Sequence, residues 1–171
     1  EDEFDRGQYD SVEYMMGING AAALYRRSML EAVKEGEEYF DNDFFIYYED
    51  VDLAWRSLLF GWKSLYVPQA TGRHMRGGTQ TGNKSINVQI HAAKNRYLVF
   101  LKNEPFSVFI RCLPLAIGVE TCRLISYLFR EPFSFLGFLK FLIHAPRFLK
   151  KRRSIQKRMS IKPDEFYSWY R

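Results

Sequence analysis

Phe44-Phe45-Ile46-Tyr47-Tyr48-Glu49-Asp50-Val51-Asp52-Leu53 is the stretch on which the reading of this chain turns. An aromatic run that favours burial delivers three carboxylates, Glu49, Asp50 and Asp52, within four positions. Carboxylates are almost never fully buried without partners, so acids placed directly behind such a run are expected to line something. The composition of Tyr39 to Asp43 predicts a turn, and the aromatic run after it reads as a buried extended segment. From Val51 to Phe60 the pattern becomes helical, with Leu53, Trp55, Leu58 and Leu59 inward and Gly61 at its end. The plain alternative for the acids is electrostatic: Glu49, Asp50 and Asp52 suit a helix N-terminus. Asp52 and Arg56, taken alone, are spaced for an ion pair one helical turn apart.

Outward from this centre, Lys63 to Val67 reads as a short strand stopped by Pro68, and Gly72-Arg73-His74-Met75-Arg76-Gly77-Gly78-Thr79 follows. Acids before the helix and His, Arg and paired glycines after the strand look like two walls of one pocket. Upstream, Tyr14 to Tyr25 reads as a strand and turn rich in small residues, Gly17, Gly20 and Ala21 to Ala23. Small side chains there serve either close approach of backbone to a ligand or close helix–strand packing. Arg26 and Arg27 open a short helix through Lys34, ahead of an acidic loop from Glu35 to Glu38. Ser85 to Lys102 is an amphipathic helix with Ile86, Ile90, Ala93, Tyr97 and Leu101 in register. Within it Asn95-Arg96 reads as the pair that pins the helix to the first region, and Lys94 and Lys102 as a solvated face.

A chain of 171 residues with 47% hydrophobic content supports a domain with a real core. It begins at Glu1 without a signal-peptide pattern, and is expected to be the C-terminal part of a longer protein. Its charge is uneven. Residues 1–139 hold 15 Lys+Arg against 18 Asp+Glu, and residues 140–171 hold 10 against 2, so the net charge divides as −3 and +8. Cys112 and Cys122 lie in an apolar segment without metal-ligand spacing, and read as reduced, buried thiols.

Four segments in order, Gly20 to Arg27, Phe44 to Arg56, Gly61 to Pro68, and His74 with Gly77-Gly78-Thr79, resemble the second half of family 2 glycosyltransferases. Within that family the sequence is most similar to rhamnosyltransferase-like members that build bacterial cell-surface polysaccharide, and the likeness covers about Gly17 to Asn103. It implies an α/β fold class, a partial GT-A domain over 1–104, followed by an α-helical region over 105–171. It also implies an inverting transfer of a sugar, with rhamnose carried only by the likeness, from a nucleotide-diphosphate donor to a glycan or polyprenyl-linked acceptor. Such a reaction needs a base for the acceptor hydroxyl and positive charge on the leaving diphosphate.

The resemblance assigns the base to Asp50, with Glu49 orienting the acceptor or a basic neighbour. It assigns substrate contacts to Asn19, Gly20, Ala21, Asp52, Arg76, Gly77, Gly78 and Thr79, and a metal or diphosphate contact to His74. A divalent ion, Mg2+ or Mn2+, belongs to the intact enzyme. Its Asp-x-Asp motif would precede this chain, so Asp41-Asn42-Asp43 and Asp50-Val51-Asp52 are not assigned as metal sites, and the chain alone is expected to bind no metal and to be inactive. A lone His is more often structural than a ligand, and only its place in the pattern reverses that for His74. The segment through Lys84 is expected to close over donor.

Phe106 to Phe129 and Phe133 to Ile143 are strongly apolar but interrupted, and no run reaches the ~20 residues of a spanning helix. With the basic groups Lys150-Lys151-Arg152-Arg153 and Lys157-Arg158, they are expected to lie on anionic lipid at the cytoplasmic face of the membrane, as a peripheral tail. A helical unit packed on the first region, or a homo-oligomer contact, is the plain alternative. Nucleic acid is disfavoured, because the aromatics are not interleaved with the basic residues. Two other function classes compete with the transferase: a non-catalytic membrane-surface scaffold, and a metal-dependent phosphoryl hydrolase using Asp50, Asp52 and His74.

Overall fold

The computed structural model describes residues 6–72 and 85–169, and helices dominate them. Strand β1 (Glu13–Met15) pairs antiparallel with β2 (Ser64–Tyr66), Glu13 opposite Tyr66. Between them lie a 3-10 turn at Gly20–Ala22, helix α1 (Arg27–Val33) and helix α2 (Glu49–Leu59). Four helices follow β2: α3 (Ile86–Asn103), α4 (Phe106–Arg130), α5 (Pro132–Arg158) and α6 (Pro163–Ser168). At this level the expected mixture of a small α/β part and a helical region is present.

Helix α2 is built as its periodicity requires. Leu53, Trp55, Leu58 and Leu59 are buried. Gly61, at φ 83°, turns the chain so that its N–H reaches Leu58 O and the Trp62 N–H reaches Ser57 O, both at 2.9 Å, an end suited to glycine. Trp55 then meets Phe100 edge-on at 5.1 Å and Phe166 at 5.7 Å, which seats α3 and α6 on the same face.

The largest helix–helix interface pairs α3 with α5. Gly137 makes it close: a Cβ there would stand 2.4 Å from the Ile90 carbonyl and 2.8 Å from the Ala93 Cβ. Phe148 packs edge-on against Phe44 at 5.5 Å, in a cluster with Leu98 and Val99. Helix α5 is therefore folded onto the first region along much of its length. Helix α4 is different, with Val108 its one buried residue and Leu115, Ile117, Leu128 and Phe129 exposed. No helix among the described residues is long and apolar enough to cross a membrane.

Four expectations are corrected here. The run Phe44–Tyr48 is not extended: Phe45, Tyr47 and Tyr48 have φ of 63°, 63° and 71°, and only Phe44 inserts into the core while Phe45 stays 79% exposed. No strand among the described residues runs beside it to satisfy an extended backbone; the Asn95 Nδ2 lies 2.7, 2.8 and 2.9 Å from the carbonyls of Phe44, Ile46 and Tyr47 instead. Left-handed conformations at bulky residues cost roughly 1–3 kcal/mol each and persist only where surrounding structure imposes them.

Lys94 and Lys102 are buried and not solvated, because each has an acceptor inside: Lys94 reaches the Asp43 carbonyl at 2.9 Å, and Lys102 a ring of carboxylates. The basic tail is partly spent internally, with Lys151 on Asp41 and Asp43, Arg152 on the Leu101 carbonyl, and Arg158 on the Lys34 carbonyl and over the Phe60 ring. Cys122 is exposed and Cys112 half-buried; both are free thiols. Ten residues apart on α4, they lie about 15 Å from one another along the axis, beyond disulfide reach.

Candidate functional site

Asp50 lies in the first turn of α2, two residues after the left-handed Tyr48 that caps the helix. The Gly20 N–H donates to Asp50 Oδ2 at 2.9 Å, and the Val51 N–H to Oδ1 at 2.8 Å. Asn19 holds the incoming turn by accepting the Ala21 N–H at 2.9 Å. The small residues permit this approach. A Cβ on Gly20 would lie 3.2 Å from the Asp50 Cβ, and one on Gly17 only 2.5 Å from the Ala54 Cβ. Close packing onto α2 is thus the observed use of these glycines, and it brings a backbone amide to the acid.

Between these elements opens a cleft of about 580 Å³. Met16 to Asn19 form one wall, Tyr47, Tyr48, Asp50 and Ala54 the other, with Trp55 and Ala92 also lining it. Asn19, Gly20 and Ala21 are exposed beside it. Glu49 lies off the lining, its Oε2 buried and without a hydrogen-bond partner among the described residues. The Tyr25 hydroxyl is in the same condition. Burial, and then the charges of Asp50 and Glu49, raise the Tyr25 phenol above its ordinary value, which sets this residue beside the acidic pair.

Asp52 does not join them. It is completely buried and bonded to the Arg56 Nε at 2.9 Å, the Lys102 Nζ at 2.9 Å and the Asn103 Nδ2 at 2.8 Å. The Asp52–Arg56 pair expected from spacing is present, and Arg56, also fully buried, donates onward to the Val33 and Tyr39 carbonyls. Lys102 also meets Asp41 at 2.7 Å and Glu35 at 2.6 Å. Burial alone would raise the Asp41 carboxyl, but Lys102 and Lys151 outweigh it and hold it down to about 2. Burial would likewise lower the Lys102 ammonium, and Asp52, Asp41 and Glu35 raise it instead. The assignment of Asp52 to substrate is therefore replaced by a structural one: its carboxylate is occupied by protein donors on a face away from solvent. The phosphoryl-hydrolase alternative loses the same group.

His74, Arg76, Gly77, Gly78 and Thr79, with the expected closing segment through Lys84, lie outside the described residues. Among the described residues no group of three or more His, Cys, Asp or Glu side chains converges as a metal site. The carboxylates of Asp41, Asp43 and Asp52 are instead matched by Lys102, Lys151, Arg147 and Arg56. Those three carboxylates are therefore engaged by protein cations.

No family model, curated protein or solved structure matches this chain. Function rests on the site itself. Sequence patterning overlooks the place of Tyr25 and Tyr48 at the site, since aromatic side chains carry no periodic signal of the partner they meet. The expected pinning of α3 to the first region is made by Asn95, on the carbonyls of Phe44, Ile46 and Tyr47, whereas Arg96 turns to Glu120 of α4.

Proposed function

We propose that this chain is the acceptor-side half of an inverting GT-A-type glycosyltransferase in which Asp50 is the general base. The observation that carries the reading is the placement of Asp50 on the cleft wall with its carboxylate oriented by the Gly20 and Val51 amides. A carboxylate offers about four acceptor positions, so two backbone donors fix its plane and leave lone pairs for a hydroxyl. As the acceptor oxygen bonds to the anomeric carbon, its proton passes to Asp50 and the nucleotide diphosphate departs from the opposite face. Glu49 and Tyr25 are half-buried beside Asp50, each with a buried oxygen that has no partner among the described residues, and supply further hydrogen bonds to the acceptor or to a neighbouring basic group. Donor recognition falls to a preceding nucleotide-binding half and to the segment from Arg76 to Thr79.

The exposed apolar side chains of α4, Leu115 at 74% and Phe129 at 79% among them, with Ile143 of α5 at 75%, support a peripheral seat on a membrane at its cytoplasmic face. Lys150, Arg153 and Lys157 are exposed on α5 and suit anionic headgroups. A lipid-linked acceptor in surface-polysaccharide synthesis would be met there.

The test is sugar transfer by the intact protein with a panel of nucleotide sugars, with and without Asp50→Asn. The reading expects one donor to be consumed and turnover to fall by roughly 10²–10⁴-fold in the variant while donor binding survives. Undiminished turnover in the variant would remove Asp50 from the chemistry. Absence of any donor use by well-folded protein would favour the membrane-surface scaffold.

A further inference from the structure

A second recess, of about 480 Å³, adjoins the Asp50 cleft, and Tyr48 and Ala92 line both. Its chemistry differs. Arg96 of α3 and Arg123, Tyr127 and Arg130 of α4 face into it, against the single carboxylate of Glu131 on its lining. Arg96 contacts Glu120 at 2.7 Å, and it shares the lining of this recess with Tyr48, the residue that caps α2. Its Nε–H is nevertheless buried without a partner among the described residues. Arg123 shares Glu120 at 3.3 Å, whereas Arg130 is exposed and forms no ion pair among the described residues. Three guanidinium groups around one concavity, with an orphan N–H and an unpaired member, suit a phosphate-type anion.

The surroundings say what carries that anion. At the α4–α5 corner, adjoining Arg130, Leu128 is 56% exposed, Phe129 79% and Phe133 37%. A ligand running from the Asp50 cleft through this recess would thus meet a base, then arginines, then exposed apolar side chains. We propose that the recess binds the phosphate or diphosphate of an amphiphilic acceptor, with its sugar hydroxyl at Asp50 and its hydrocarbon chain on the α4–α5 corner. This inference rests on the transferase reading and names the acceptor subsite within it.

The experiment is flotation of the protein with phosphatidylcholine vesicles doped with a long-chain isoprenyl diphosphate, against vesicles doped with the matching isoprenol. The phosphate-bearing vesicles are expected to bind the protein roughly tenfold or more tightly, and Arg130→Gln and Arg123→Gln to remove most of that preference. Arg130 makes no ion pair among the described residues, so its substitution does not endanger folding. Lys162→Gln, an exposed cation at the start of α6 that is assigned no part in lipid binding, is expected to leave the preference unchanged, which separates a built site from general surface charge. Inorganic pyrophosphate serves as competitor. Weak competition assigns the anion to a lipid headgroup, and competition at equal affinity assigns a free diphosphate. Equal binding to both vesicle types without pyrophosphate binding, or a preference that the two arginine variants leave intact, overturns the subsite. Arginine-dependent binding by a protein that transfers no sugar would uphold the subsite and sink the transferase reading. Transfer without such binding would do the reverse.

Discussion

Asp50 and Asp52 stand two residues apart on one helical turn, yet they belong to different parts of the molecule. Two residues on a helix differ by about 200° in direction, so the same short stretch sends one carboxylate to the cleft and the other into the core. Asp50 is oriented by two backbone amides on the wall of an open recess. Asp52 is enclosed by Arg56, Lys102 and Asn103. Asp52 has the side-chain cations Arg56 and Lys102 for partners, whereas Asp50, the acid proposed for chemistry, is held by backbone N–H groups that orient it and leave lone pairs open. The buried Asp52 thus anchors to the core the same helical turn that presents Asp50 to the cleft.

The comparison can be broken most forcibly at Lys102. Lys102→Ala removes the cation that Asp41 and Asp52 share in the interior, and urea unfolding is expected to lose about 3–5 kcal/mol; a loss below about 1 kcal/mol would mean that water enters the network. Acid should weaken the same region. Asp41, held down from 3.8 to about 2, contributes stability that is fully present above about pH 4 and is lost as pH falls through about 2. That contribution is of the order of 2 kcal/mol, and Asp41→Asn should flatten the acid limb of an unfolding curve measured against pH.

On the cleft side, Asn95→Ala removes the donor that holds the carbonyls of Phe44, Ile46 and Tyr47. The expected cost is roughly 1–2 kcal/mol in unfolding, accompanied by faster amide exchange over residues 44–48 and lower turnover with Asp50 still in place. Unchanged exchange would show that the left-handed segment is held by Phe44 alone. The smallest effect should come from Arg111→Ala, whose partner Asp164 is 75% exposed. A stability change of about 0–1 kcal/mol is expected there, marking the contrast with the buried network.

Much of the frame was legible in sequence. The helix over Val51 to Phe60, the strand stopped by Pro68 and the helix from Ser85 each announced themselves by local pattern, and local pattern is what hydrophobic period and turn residues report. What was not legible depends on partners far along the chain. The conformation of Phe44–Tyr48 is imposed by Asn95, 48 to 51 residues away. Lys102 reads as solvated until Asp41 and Asp52 are brought to it across 61 and 50 residues. The basic tail gave a correct count of charge but not its allocation, because the Lys151 and Arg158 partners lie more than 100 residues upstream. Gly20 and Asp50 do meet, through one backbone-to-carboxylate hydrogen bond that no spacing rule would specify.

The most direct measurement is a crossed one: Asp50→Asn and Asp52→Asn in the intact protein, each assayed for sugar transfer and for urea unfolding. The division of labour predicts that Asp50→Asn leaves the unfolding midpoint close to that of the parent and removes turnover by roughly 10²–10⁴-fold. Asp52→Asn should lower stability by about 3–5 kcal/mol, with turnover in the remaining folded fraction much less affected. Equal losses of stability in the two variants, or full turnover with Asn at position 50, would contradict it.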